Sequence, residues 1–168
     1  MAVVASASAG LRAGGRATVL QLRAPELSAR ALESEASELV AWSPVPVLVS
    51  SRCDVALASG AAGVNLPERD IAVEDARTLL GARLIGRSVH TLASAINAEE
   101  HGADFVIFGP VWSSQSHPDS KPVGLKALAE VARALRIPVV AIGGVTEERI
   151  AECHDAGAAG YAAIRLFE

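Results

Sequence analysis

Residues 137–144 (IPVVAIGG) end an apolar run in two adjacent glycines, an arrangement suited to holding an anion. A continuous apolar run reads as a strand buried on both faces. It opens into Gly143-Gly144, where the missing Cβ atoms let a ligand approach bare backbone N–H groups. Thr146 follows at a helix N-cap position, with Glu147 and Glu148 in the first turn. Strand, glycine pair and helix start together predict a phosphate cradle. Other polar residues also stand where apolar runs end. Gln21 and Arg23 flank Leu22, so a two-residue period sends both to one face while Leu22 packs on the other. Ser88 closes another run, and His90 follows two residues later, just before a helix opening at Thr91. His90, Glu68, Asp70 and His117 are the local candidates for proton transfer. His117 lies in residues 112–123 (WSSQSHPDSKPV), a long polar stretch without apolar period and a candidate lid. His101 and His154 stand beside glycine helix ends, where an imidazolium suits the helix dipole, and read as structural.

The elements that must position these groups alternate along the chain. Strand patterns cover residues 18–22, 46–50, 63–66, 83–88, 104–108, 138–142 and 160–164. Helical stripes lie between them, among them Leu32, Ala36, Leu39 and Val40, then Val73, Ala76, Leu79 and Leu80. Leu92, Ala95 and Ile96, and Leu125, Leu128, Ala132 and Leu135, carry two more. Gly60-Ala61-Ala62-Gly63-Val64, Gly102-Ala103-Asp104-Phe105-Val106 and Gly157-Ala158-Ala159-Gly160-Tyr161 repeat one joint, a glycine helix end leading into a strand. A repeated β/α unit predicts a doubly wound sheet or a closed barrel. No Gly-x-Gly-x-x-Gly follows the first recognisable strand, which favours the barrel. Only seven strands are recognisable. Residues 2–5 could form another, but only about ten residues then separate them from the next run, the lower limit for a helical crossover. The expectation is that residues 2–13 form a helix and that a first strand is missing, either truly or through a misassigned start. Two open strand edges would follow, which a second copy in a homo-oligomer could cover.

Composition narrows the function classes. The chain of 168 residues is 51% hydrophobic and 4% aromatic, so one domain with an aliphatic core is expected. No stretch approaches the ~18 apolar residues of a membrane span, and the start lacks the basic and apolar regions of a secretory signal. The formal net charge is −4 with dispersed Lys and Arg, so no nucleic-acid partner is expected. Cys53 and Cys153 lack neighbours at ligand spacing and read as two buried thiols of a cytoplasmic protein.

Seven motifs in order resemble the thiamine phosphate synthase/TenI superfamily. They are Gln21-Leu22-Arg23, Gly63-Val64-x-Leu66, Gly86-x-Ser88-Val89-His90, Gly102-Ala103-Asp104, Phe108-Gly109-Pro110-Val111, Gly124-Leu125 and the segment from Ile137 to Thr146. The resemblance runs from about residue 11 to residue 167 and implies an α/β fold, a TIM-type (β/α)8 barrel whose first strand is lacking here. Synthases of the family join a pyrimidine diphosphate to a thiazole phosphate and release pyrophosphate with Mg²⁺ assistance. The TenI branch isomerises a thiazole phosphate carboxylate.

The resemblance also implies roles. Gln21 and Arg23 match pyrimidine- and diphosphate-binding positions, and Ser88 matches a diphosphate contact. Ser114, Ser116 and His117 stand where the synthases carry Thr-x-Thr-Lys. Gly143 and Gly144 would hold the thiazole phosphate, with Ile164 and Arg165 at the end of the last strand, where family members usually have a serine. Departures are as informative. Pro25 replaces a diphosphate lysine, and Ser50-Ser51 replaces Asn-Asp, whose Asp holds Mg²⁺. Asn65-Leu66-Pro67-Glu68-Arg69-Asp70 replaces His-Leu-Gly-Gln-x-Asp. Pro110 stands where some tautomerases place their acid–base histidine. The expectation is therefore a TenI-type protein that binds a thiazole phosphate and transfers a proton on it. The alternatives are a thiamine phosphate synthase, or a non-catalytic phosphate-ligand binder or partner subunit. No cofactor is expected unless synthase chemistry persists, when Mg²⁺ would sit at Asp70.

Overall fold

The computed structural model describes residues 1–113 and 121–168. Its strands are β1 (Ala2–Val4), β2 (Leu20–Leu22), β3 (Val47–Ser50), β4 (Gly63–Leu66), β5 (Leu84–Val89), β6 (Phe105–Phe108), β7 (Val139–Ile142) and β8 (Gly160–Ala162). All neighbouring pairs are parallel, in the order β1 to β8. The helices between them are α1 (Ala7–Ala13), α2 (Ala29–Trp42), α3 (Cys53–Ser59), α4 (Val73–Leu80), α5 (Leu92–Glu100), α6 (Gly124–Ala134) and α7 (Ile150–Asp155). The ring closes beyond β8. Ala2 bridges to Ala163, the Val3 N–H donates to the Ala163 carbonyl at 2.9 Å, and the Ala163 N–H donates to the Met1 carbonyl at 3.2 Å.

This closure corrects the expected missing strand. Residues 2–4 form β1 rather than the start of a helix, and all three are buried. The expectation of a helix rested on a gap of only about ten residues before the next strand pattern, and the observed gap is longer because β2 starts two residues later than that pattern. β1 ends at Val4 and β2 begins only at Leu20, which leaves room for α1, capped by the Ser6 hydroxyl accepting from the Ala9 N–H. Small residues let that crossover fit: a Cβ on Gly10 would lie 2.6 Å from Leu39 Cδ1, so α1 packs closely on α2. With β1 paired on both sides, the case for a second copy covering open edges loses its physical basis.

Alternation along the strands separates two packed layers. Leu20, Leu22, Val47, Val49, Val64, Leu66 and Ile85 face outward with the helix stripes, including Leu32, Ala36 and Leu39 of α2 and Leu128 and Val131 of α6. Leu79 and Ile96 fall off those stripes and are exposed. Leu48, Phe105 and Ile107 pack together as a separate cluster. Phe105 needs the bare backbone of Gly86, where a Cβ would sit 2.2 Å from the ring. The three repeated joints end their helices at Gly60, Gly102 and Gly157, with φ of +72°, +89° and +90°. Among the described residues, no helix is long and apolar enough to cross a membrane.

Candidate active site

A cavity of about 280 Å³ lies at the carboxyl ends of the strands, the face on which barrels carry their sites. Val3, Ile107 and Ile142 give it apolar walls. Gln21 and Asn65 line it as well, and each is only 3% exposed. Asn65 Nδ2 donates to Ser88 Oγ at 3.0 Å. Gln21 Oε1 and Asn65 Oδ1 are buried with no donor among the described residues. Such an unpaired acceptor costs roughly 1–3 kcal/mol, a deficit that a ligand carrying N–H groups would remove.

At the rim, Arg23 is exposed beside Ser50 and Pro67. On another side stand His90 and Glu68. His90 Nδ1 bonds the Gly109 carbonyl; a carbonyl only accepts, so Nδ1 carries the proton and Nε2 is left for other partners. Nε2 lies 4.0 Å from Glu68 Oε2, while the His90 N–H donates to Glu68 Oε1 at 3.3 Å. In this tautomer Nε2 carries no proton, and at 4.0 Å the carboxylate does not hydrogen-bond to it.

Asp70 lies apart from this lining, in a neighbouring cleft with Glu74, Arg87 and His101. Its Oδ2 accepts from the Ser51 hydroxyl and its Oδ1 from the Ile71 N–H at 2.8 Å. Ser51 itself adopts φ +72°, an uncommon conformation for a residue with a side chain. Among the described residues, no three His, Cys, Asp or Glu side chains gather as a metal site. The family's Mg²⁺ therefore finds one carboxylate with both oxygens engaged and a neutral hydroxyl beside it. These residues do not fit a preformed Mg²⁺ site. Close by, burial raises the Cys53 thiol above its ordinary value, with Asp70 and Asp54 adding to the effect.

Gly143 and Gly144 follow β7 in left-handed conformation, with φ +91° and +67°. Their bareness has a packing cause. A Cβ on Gly143 would lie 2.5 Å from Pro110 Cβ, and one on Gly144 would lie 2.7 Å from both Trp112 Cβ and the Ser113 carbonyl oxygen. Among the described residues, neither glycine N–H donates to a backbone carbonyl. Thr146 stands at the N-cap position of a 3-10 turn, Glu147–Arg149, without a capping bond from its side chain. The expected helix start is thus a short turn before the six-residue α7, and the glycine amides must supply any anion grip.

The fold brings Gln21, Arg23, Ser88, His90 and Glu68 to one cavity. Asp70, Gly143 and Gly144 stand outside its lining, as do Ile164 and Arg165, at the start of the closing 3-10 turn. Ser88 Oγ accepts from Asn65 Nδ2, which still leaves its own O–H as a donor at the cavity wall. Ser114, Ser116 and His117 lie outside the described residues. Val3, Ser50, Asn65 and Pro110 were not among the predicted site residues. A polar Asn65 within the buried run Gly63–Leu66 was the signal that could have found it.

The chain belongs to the thiamine monophosphate synthase family, whose model matches residues 2–167. It is 40–44% identical over 154–165 residues to several proteins named as thiamine-phosphate synthases. One is the thiamine-phosphate synthase of Chloroflexus aurantiacus, 40% identical over 154 residues, covering 89% of this chain and 71% of that protein. Another is the thiamine-phosphate synthase of Anaeromyxobacter dehalogenans, 44% identical over 165 residues, covering 96% and 73%. The solved thiamine phosphate pyrophosphorylase from Pyrococcus furiosus superposes with a TM-score of 0.89 at 31% identity, covering 97% of this chain and 84% of that one.

Proposed function

We propose that this chain forms thiamine phosphate, coupling an aminopyrimidine diphosphate to a thiazole phosphate. The observation that carries this reading is the pair of orphaned acceptors, Gln21 Oε1 and Asn65 Oδ1, on a cavity with apolar walls. A flat ring with an exocyclic amino group supplies the missing donors and fills the apolar space. Arg23 and the Ser50 hydroxyl stand at the rim, on the side towards a second cavity shared with Ser51, where a diphosphate would emerge. The amides of Gly143 and Gly144 would take the phosphate of the thiazole. In the coupling, a carbon–nitrogen bond to the thiazole forms as the carbon–oxygen bond to the diphosphate breaks, and pyrophosphate leaves with the electron pair. This chain's share is orientation of both rings and neutralisation of the departing charge by Arg23. Relatives at 40–44% identity named as synthases support the same reading over the tautomerase one.

A second reading, proton transfer on a thiazole phosphate carboxylate, draws on the His90–Glu68 pair at the same cavity. One experiment separates the two. Incubation with both synthase substrates should release pyrophosphate and thiamine phosphate in equal amounts. No pyrophosphate, with hydrogen–deuterium exchange at the ring-adjacent carbon of the carboxylate alone, would replace the synthase reading with the second.

A further inference from the structure

We propose that Arg149 is a positioning residue that sets the anion-binding geometry of the Gly143-Gly144 turn. This rests on the reading that the turn holds the thiazole phosphate. Three successive carbonyls of the turn are all taken. The Ile142 carbonyl accepts from the Val111 N–H at 2.8 Å, and the Gly143 carbonyl accepts from the Trp112 N–H at 3.0 Å. The Gly144 carbonyl accepts from Arg149 Nη1 at 2.7 Å. A planar trans peptide points its N–H opposite to its C=O. Fixing these three carbonyls therefore also fixes the N–H groups of Gly143, Gly144 and Val145. None of those three donates to a backbone carbonyl among the described residues. Consecutive free amides beside left-handed glycines form a nest for an anionic oxygen.

Two of the three anchors are backbone groups of the segment after β6, and only the third is a side chain. The Arg149 guanidinium also lies over the Trp112 ring, 4.9 Å from its centroid. One residue thus bonds the last peptide of the turn and stacks on the residue that bonds the previous one. Without it, the peptide after Gly144 (φ +67°) loses its anchor, and a glycine in that region rotates at little cost. The charged donor and its stacking are worth more here than a neutral contact would be. Glu147 and Glu148, exposed in the following turn, add no attraction for a phosphate, so amide orientation carries the grip.

The test is calorimetric titration of the wild type, Arg149→Met and Trp112→Leu with thiazole phosphate and with the unphosphorylated thiazole alcohol, at low and high salt. Arg149→Met should weaken thiazole phosphate binding about tenfold or more, and Trp112→Leu by a smaller factor, with both losses persisting in high salt. Affinity for the alcohol should stay unchanged. Arg149→Lys, which keeps the charge but not the planar stack, should recover part of the loss. Unchanged phosphate affinity in Arg149→Met, an equal loss for the alcohol, or a loss abolished by salt each overturns the proposal. Wild-type protein that makes thiamine phosphate yet binds phosphate and alcohol forms equally would remove this inference while leaving the synthase reading intact.

Discussion

His90 and Gly109 are tied across the barrel mouth: the imidazole Nδ1 donates to the carbonyl just before Pro110. The ring is thereby held with Nε2 towards Glu68, beside the position at which some family members carry a histidine of their own. On the second reading, proton transfer on a thiazole phosphate carboxylate, His90→Asn and Glu68→Gln should each slow deuterium exchange on that carboxylate by roughly a hundredfold. Proton NMR in heavy water reads this directly. Exchange at the wild-type rate in both variants would remove the pair from any proton transfer.

Gln21 tests the cavity floor. Its carbonyl oxygen is buried without a donor, so Gln21→Leu removes a deficit as well as a group. The melting temperature should hold or rise, while affinity for the aminopyrimidine falls by about ten- to a hundredfold, the equivalent of roughly 1–3 kcal/mol. Thermal denaturation and calorimetry on the same variant give both numbers. A fall in both would mean that Gln21 is structural.

Ser51 and Asp70 bear on the metal. Their hydrogen bond joins a neutral hydroxyl to the carboxylate in which the family's Mg²⁺ would be held. Ser51→Asp should create a two-carboxylate site and raise Mg²⁺-dependent pyrophosphate release by roughly tenfold. Chelation should then slow the variant far more than the wild type. Equal sensitivity of the two proteins to chelator would show that the wild type already binds Mg²⁺ through other groups.

The thiols set an alkaline limit. Burial raises both Cys53 and Cys153 above the ordinary 9.0, with Asp70 and Asp54 adding at Cys53 and Glu152 at Cys153. Around that pH the unfolded chain loses protons that the fold keeps, so the folded state binds more of them. Stability is therefore full below about pH 9 and is lost as pH rises through the higher native values. Urea midpoints from about pH 8 to about pH 10 should fall, and Cys153→Ala should start lower but decline less steeply. Parallel slopes in the two proteins would refute this assignment.

Most of the barrel was legible because its strands are aliphatic runs, most of them close to a glycine, and seven of them emerge with ends shifted by only a residue or two. β1 was not. It is three residues long, and one of its pairing partners is Ala163, which no local pattern reveals. The site divides in the same way. Gln21 followed from alternation beside Leu22. Asn65 read first as the loss of a family histidine, and only the three-dimensional arrangement sets its buried amide against Ser88. The Ser51–Asp70 bond likewise spans two strand ends, and periodicity carries no signal for it.

The short closing strand has a consequence for how the protein fails. β1 is the one element between β2 and the end of β8, so if its three residues detach, two adjacent edges open at once. Exposed parallel edges recruit other chains. Aggregation on storage or mild heating should therefore follow local release of β1, well below the temperature at which the rest of the barrel melts.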